Sequence, residues 1–181
     1  MICQTQTSPY RSIARLVTGC ALALSAICYA GASMAQTPTL LTQERDWAAY
    51  MAEVDGGKTC YALSQPKDQE PKNVRRDPAF FFVTTRPKDN IRNQVSVIIG
   101  YPFAEGSKVT IDVGSDNFTL FTKDDKAWIE NLAEQDRLVN AIKAGTSMVI
   151  KGTSKRGTNT TDTYSLLGVT AAFDRAASAC E

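Results

Sequence analysis

The residues best equipped to hold a ligand sit in one stretch, Lys151 to Leu166, KGTSKRGTNTTDTYSL. From Ile142 to Thr161 the charged residues are Lys143, Lys151, Lys155 and Arg156, all basic. Gly157 follows Lys155 and Arg156 where two strand-like runs need a turn. A basic hairpin tip of this kind meets phosphate, sulfate or an acidic glycan through charge-assisted hydrogen bonds. The plain alternative is a solvated turn in which Gly157 supplies backbone geometry alone. A second candidate surface is Tyr101-Pro102-Phe103, just after Gly100. Tyr101 and Phe103 at a strand end make either a partner patch or a piece of core. Trp47 and Trp128 pose the same choice.

Several chemistries are excluded at once. The chain has no histidine, which removes Ser-His-Asp and Cys-His catalysis and the commonest zinc and iron ligand sets. Asp112, Asp116, Asp124 and Asp125 are the nearest approach to the carboxylate pair of a glycosidase, but each falls on a strand face or turn where acids are solvated. Around Asp124 and Asp125 the alternating oxygen ligands of a calcium loop are missing. No metal or cofactor is expected, and the expected mode of action is binding.

The N-terminus reads as a targeting segment. Arg11 and Arg15 precede an apolar run from Leu16 to Ala30, and Ser33-Met34-Ala35 supplies a small-x-small cleavage pattern. Residues 1–35 are therefore expected to be a signal peptide, leaving 146 residues, enough for one domain. That part carries 18 basic and 19 acidic residues, a balance that argues against nucleic-acid binding. It also keeps only Cys60 and Cys180. Two cysteines in an oxidising compartment most often pair, the alternatives being free thiols or an intermolecular bridge. No transmembrane span is expected once the signal is removed.

The elements that position these residues are mostly strands. Residues 36–45 read as a flexible leader, and 46–181 as one domain. Trp47 to Val54 and Lys58 to Ser64 flank the turn Asp55-Gly56-Gly57. Gln65 to Pro78 reads as loop, and Phe80 to Thr85 as a strand covered on both faces. Gln94 to Phe121 alternates apolar and polar residues in three runs, the pattern of an antiparallel meander. Asn131 to Gly145 has the capping residues and spacing of a helix. Two further runs form the hairpin around Lys155-Arg156-Gly157. A short C-terminal helix capped by Thr170 places Phe173, Ala176, Ala177 and Cys180 on one stripe. The expected fold is mainly β, an antiparallel sandwich or partly open barrel with one packed helix at about 131–145 and a short terminal helix.

Several segments, in this order, carry a family resemblance: Trp47-Ala48-Ala49-Tyr50, Lys58 to Ser64 (KTCYALS), Val95 to Phe103 (VSVIIGYPF), Ala127-Trp128, Lys151 to Thr158 (KGTSKRGT), and Thr163 to Leu166 (TYSL) before Cys180. The chain resembles the invasion-associated locus B family of bacterial envelope proteins. That resemblance implies a small exported β domain in the periplasm, associated with the outer membrane, or secreted. It also implies a link to host-cell entry in intracellular pathogens, although the family is found in free-living bacteria too. The family has no agreed catalytic activity, so no active-site residue is carried over. Some relatives have another cysteine soon after the tryptophan, where this chain has Ala48-Ala49-Tyr50-Met51.

The reading that follows is a non-enzymatic exported envelope protein that either binds a protein, an anionic glycan or another envelope component, with host-cell association as one role, or supports the cell surface. The alternatives are a carboxylate-based hydrolase of cell-wall or glycan substrates and a periplasmic assembly factor. The exported chain is expected to begin at Gln36 with its two cysteines oxidised. Intact-mass measurement before and after reduction checks both points.

Overall fold

The computed structural model describes residues 37–181. The expected signal peptide lies outside these residues. In chain order the strands are β1 (Thr39–Glu44), β2 (Trp47–Val54), β3 (Gly57–Ser64), β4 (Asp68–Glu70), β5 (Phe80–Arg86), β6 (Ile91–Ile98), β7 (Lys108–Val113), β8 (Asp116–Lys123) and β9 (Lys126–Trp128). Helix α1 (Leu132–Ala144) follows, then β10 (Ser147–Thr153), β11 (Asn159–Ser165) and helix α2 (Val169–Ala179). All pairings are antiparallel, within one sheet of order β1-β2-β3-β5-β6-β9-β8-β7-β10-β11-β4. The expected mainly β, antiparallel class is found. It takes the form of a continuous sheet that does not close, since β1 pairs only with β2 and β4 only with β11.

Curling brings the far strands together. The indole N–H of Trp47 on β2 donates to the Ser165 carbonyl on β11, at 2.9 Å. Phe81 on β5 meets Tyr164 on β11 edge-on at 6.3 Å. One face of the sheet therefore wraps a single core. Its alternating members include Val95 and Val97 from β6, Val109, Ile111 and Val113 from β7, and Phe118 and Leu120 from β8, all buried. Burial at this density supplies the dominant favourable term in folding, roughly 1.5–3 kcal/mol for each fully buried large side chain.

Both helices pack where the spacing predicts. The Asn131 side chain accepts from Ala133 N–H at 2.8 Å and caps α1. Glu134, three residues after the cap where a capping box places a reciprocal acid, turns instead to Arg137. Gln135 is buried on α1 and does the work of a neighbouring strand. β6 pairs with β9 only over Ser96–Ile98, and beyond that the Gln135 side chain accepts from Val95 N–H and donates to the Arg92 carbonyl. Backbone groups otherwise stranded against the helix are satisfied in this way. The cap of α2 is Gly168, not Thr170. Phe173 and Ala176 of α2 are buried, and Phe173 packs edge-on against Trp47 at 5.3 Å.

Four local expectations change. Residues 39–44, expected as leader, form β1, because their backbone extends β2 as a partner from Thr39 to Glu44. The proline-rich loop contains β4, which crosses to the other end of the sheet and pairs with β11. Phe81 and Val83 point into the core, while Phe80 and Phe82 lie half-buried on the outer face, so β5 is covered on one side only. The three runs of Gln94 to Phe121 are not a meander. β7 and β8 form a hairpin, but β9 inserts between β8 and β6, and residues 99–107 leave the strand pairing apart from an isolated bridge between Phe103 and Ser154.

Cys60 and Cys180 form a disulfide that closes a separation of 120 residues, with Cα atoms 5.9 Å apart. It joins β3 to the end of α2, on the buried side of both. Chain entropy assigns a loop of this length about 5 kcal/mol. Cys60→Ser/Cys180→Ser is expected to lose up to that amount, read as a shift of the urea unfolding midpoint. Adding reductant to the native protein is expected to give the same shift.

Candidate functional site

The groove at the β10–β11 turn is assembled from three segments far apart in sequence. The first is the turn itself. Ser154 N–H donates to the Thr158 carbonyl at 2.9 Å and Gly157 N–H to the Ser154 carbonyl at 2.8 Å, with Gly157 at a φ of 81°. The second is the excursion after β6, which lies against the turn: Lys155 N–H donates to the Pro102 carbonyl at 2.8 Å, and Phe103 bridges Ser154. The third is the stretch before β5. Asp77 N–H donates to the Gly100 carbonyl at 2.9 Å, and a Cβ on Gly100 would stand 2.0 Å from the Asp77 carbonyl oxygen. Only glycine allows that approach, and it also holds the positive φ of 82° found there.

Together they form a groove of about 360 Å³, rimmed by Arg75, Arg76, Lys155 and Arg156, with Asp77 and Pro102 between them. Arg75, Lys155 and Arg156 are exposed. None of the three forms an ion pair among the described residues. Arg76 behaves differently: its side chain is 7% exposed and lies against Asp162, which is fully buried. The guanidinium is bidentate, Nη1 donating to Oδ2 at 3.0 Å and Nη2 to Oδ1. Burial pushes the Asp162 carboxyl above the ordinary carboxylate range, and the hydrogen bond from Arg76 pulls the other way. Arg76 also lies over the Tyr101 ring at 5.9 Å, and the Tyr101 hydroxyl is 2.6 Å from that of Thr160. Burial likewise raises the Tyr101 phenol. The groove thus has an internally paired floor and three exposed cations on its rim.

Sequence reasoning singles out six residues for a partner surface, and they separate. Lys155 and Arg156 stand on the rim, and Gly157 shapes the turn behind them. Tyr101 and Phe103 are 8% and 7% exposed, packed edge-on at 5.5 Å. Of the two readings open for these rings, partner patch or core, the structure gives core, and Pro102 between them is the exposed residue. They fit beneath β10 because Gly152 leaves room, where a Cβ would lie 2.9 Å from Phe103 and 3.0 Å from the Tyr101 hydroxyl. Lys151 lies apart and pairs with Asp112 at 2.9 Å. Hydrogen bonds from Lys151 and then Asn117 hold the Asp112 carboxyl below its ordinary range. Asp116 pairs with Arg137, so the two acids are engaged with separate cations. Arg75, Arg76 and Asp162 are the members that sequence reasoning misses. The Arg75-Arg76 pair is visible in the chain, but nothing local ties it to a turn 80 positions later.

A family model described as "Invasion associated locus B (IalB) protein" matches residues 47–177. The chain belongs to the IalB family. A similar solved structure is the crystal structure of invasion associated protein B from Bartonella henselae, with a TM-score of 0.57 and 14% identity. That match covers 78% of this chain and 97% of the other, and at this identity it speaks to the fold alone. No curated protein matches the chain. The matched IalB region holds all the groove residues, from Arg75 to Asp162. Among the described residues of this IalB chain, no helix is long and apolar enough to cross a membrane.

Arg76→Leu leaves the Asp162 carboxylate buried without its partner. The expected cost is about 3–5 kcal/mol of unfolding free energy. Lys155→Ala, at the exposed rim, is expected to stay within about 0.5 kcal/mol. Urea denaturation of the two variants beside the native chain measures the contrast.

Proposed function

We propose that this IalB-family protein is exported to the cell envelope and acts by binding an anionic partner in the groove beside the β10–β11 turn. The observation that carries the reading is the convergence of Arg75, Lys155 and Arg156. Three cations without ion-pair partners among the described residues, drawn from two distant segments, rim one concave surface whose floor is held by the Arg76–Asp162 pair. Such a rim attracts phosphate, sulfate or carboxylate groups and steers them in from solvent. Export is supported by the Cys60–Cys180 bridge, a bond that persists in oxidising compartments. Association with the envelope or with host cells is the family's expectation carried to this chain. Binding is favoured over carboxylate-based hydrolysis because Asp77 is the one exposed acid lining the groove among the described residues, Asp162 beneath it is buried and paired with Arg76, and a glycosidase needs two facing carboxyl groups.

The test is the double charge reversal Lys155→Glu/Arg156→Glu. Its attachment to intact cells and to immobilised heparin is expected to fall at least tenfold, with the thermal midpoint unchanged and the native protein's binding declining as salt rises. Equal attachment by a folded double variant overturns the groove reading.

A further inference from the structure

The outward face of β3, β5, β6 and β9 takes no part in the groove, and its composition is unusual for a solvated sheet. Side chains alternating away from the core there include Tyr61, Phe82 and Trp128, all half-buried. They wall a depression of about 320 Å³. Tyr50 stacks on Tyr61 with centroids 5.5 Å apart and planes at 18°. Phe121 stacks on Trp128 at 5.5 Å and 30°. The two stacked pairs stand on opposite sides of the depression, with Tyr61 and Trp128 three strand spacings apart, about 15 Å. The floor between them is mixed, Thr84, Gln94 and Ser96 lying beside Phe82 and Ile98. Arg86 and Lys126 stand at its margins, and no carboxylate lines it. Arg86 holds Asp89 through Nε at 3.0 Å, while its Nη2 reaches Gln94 at 3.3 Å.

Rings interleaved with hydroxyls and an amide suit one class of occupant. The centre of a protein interface is depleted of charged residues, whereas Arg86 and Lys126 border this depression. A sugar strand needs both kinds of surface. Its C–H faces rest on the negative faces of aromatic rings, and its rim hydroxyls need donors and acceptors such as Thr, Ser and Gln supply. The marginal cations, Lys126 without an ion pair among the described residues and Arg86 shared with Asp89, then favour sugars that carry carboxylates. We propose that this face binds a uronic-acid-bearing polysaccharide strand. Its rings stack on Tyr61 and Trp128, and its carboxylates lie toward Arg86 and Lys126. This site is separate from the basic groove and stands without it.

The two tryptophans make the test direct. Trp47 is fully buried and Trp128 is half-buried, so acrylamide quenching of tryptophan fluorescence reports chiefly on Trp128. The full chain is titrated with hexagalacturonate and, separately, with neutral cellohexaose. Hexagalacturonate is expected to protect Trp128, with cellohexaose at least tenfold weaker and Tyr61→Ala reducing hexagalacturonate affinity at least tenfold. Thr84→Glu keeps every ring and places a like charge on the floor. It is expected to weaken hexagalacturonate more than cellohexaose, which keeps the proposal falsifiable if Tyr61→Ala fails to fold. Lys155→Glu/Arg156→Glu is expected to leave this binding unchanged. Three results overturn the proposal: no protection by hexagalacturonate, equal affinity for the two oligosaccharides, or protection lost in the rim double variant. Shielding of Trp128 that grows with protein concentration and needs no sugar also overturns it, by making a second copy of the chain the occupant.

Discussion

Trp47 lies on the second strand of the sheet, and the carbonyl it bonds lies on the tenth. A flat sheet would hold those strands many spacings apart, at nearly 5 Å per strand. The bond exists because the sheet curls, and the curl survives because the same indole packs edge-on against Phe81 and Phe173. A buried tryptophan needs a partner for its N–H, and here that partner also joins the two sides of the core. Helix α2 reaches this region through small residues. Ala172 and Ala176 are buried between it and the sheet, which lets Phe173 approach Trp47. The Cys60–Cys180 bond then fixes the end of the same helix to β3.

The groove depends on this arrangement at one remove. Asp162 and Tyr164 share the inward face of β11, so the curl that brings Trp47 to β11 also leaves Asp162 without water. A lone buried carboxylate is costly, and Arg76 offsets that cost by reaching in from the segment before β5. Anchoring Arg76 draws Arg75 and Asp77 to the surface above, beside a turn already bonded to Pro102. The exposed charge of the site is thus a by-product of internal charge compensation. Nothing in the groove relies on a free loop for its geometry.

Much of the architecture is legible in the chain because it is local. Alternation marks β2, β3, β7 and β8, and Asn131 and Lys143 bracket α1. β4 and β9 are only three residues long, too short for a period to register. The meander reading of Gln94 to Phe121 breaks at Gly100. The chain there leaves the sheet to lay Tyr101 and Phe103 under Gly152, a contact set by space and not by alternation. The basic tip is legible as Lys155 and Arg156. Its other half is not, since Arg75 and Arg76 sit among alternating charges that read as a solvated loop. Aromatic residues on the outer face escape for the opposite reason. Tyr61, Phe82 and Trp128 look like core in sequence, and only the strand register turns them outward.

The placement of β4 has a consequence for how the chain becomes a protein. Strands β2, β3, β5 and β6 pair as successive neighbours in the order they are synthesised, apart from β4, which must wait for β11 about 90 residues later. Trp47 waits for Ser165 and Cys60 for Cys180, 120 residues on. Each early segment therefore holds back a contact that only the last segments complete. Long-range closure of this kind is slow to form and leaves incomplete chains with exposed apolar surface. Until α2 is in place, the early strands lack the Trp47 and Cys60 contacts that hold the curled sheet together.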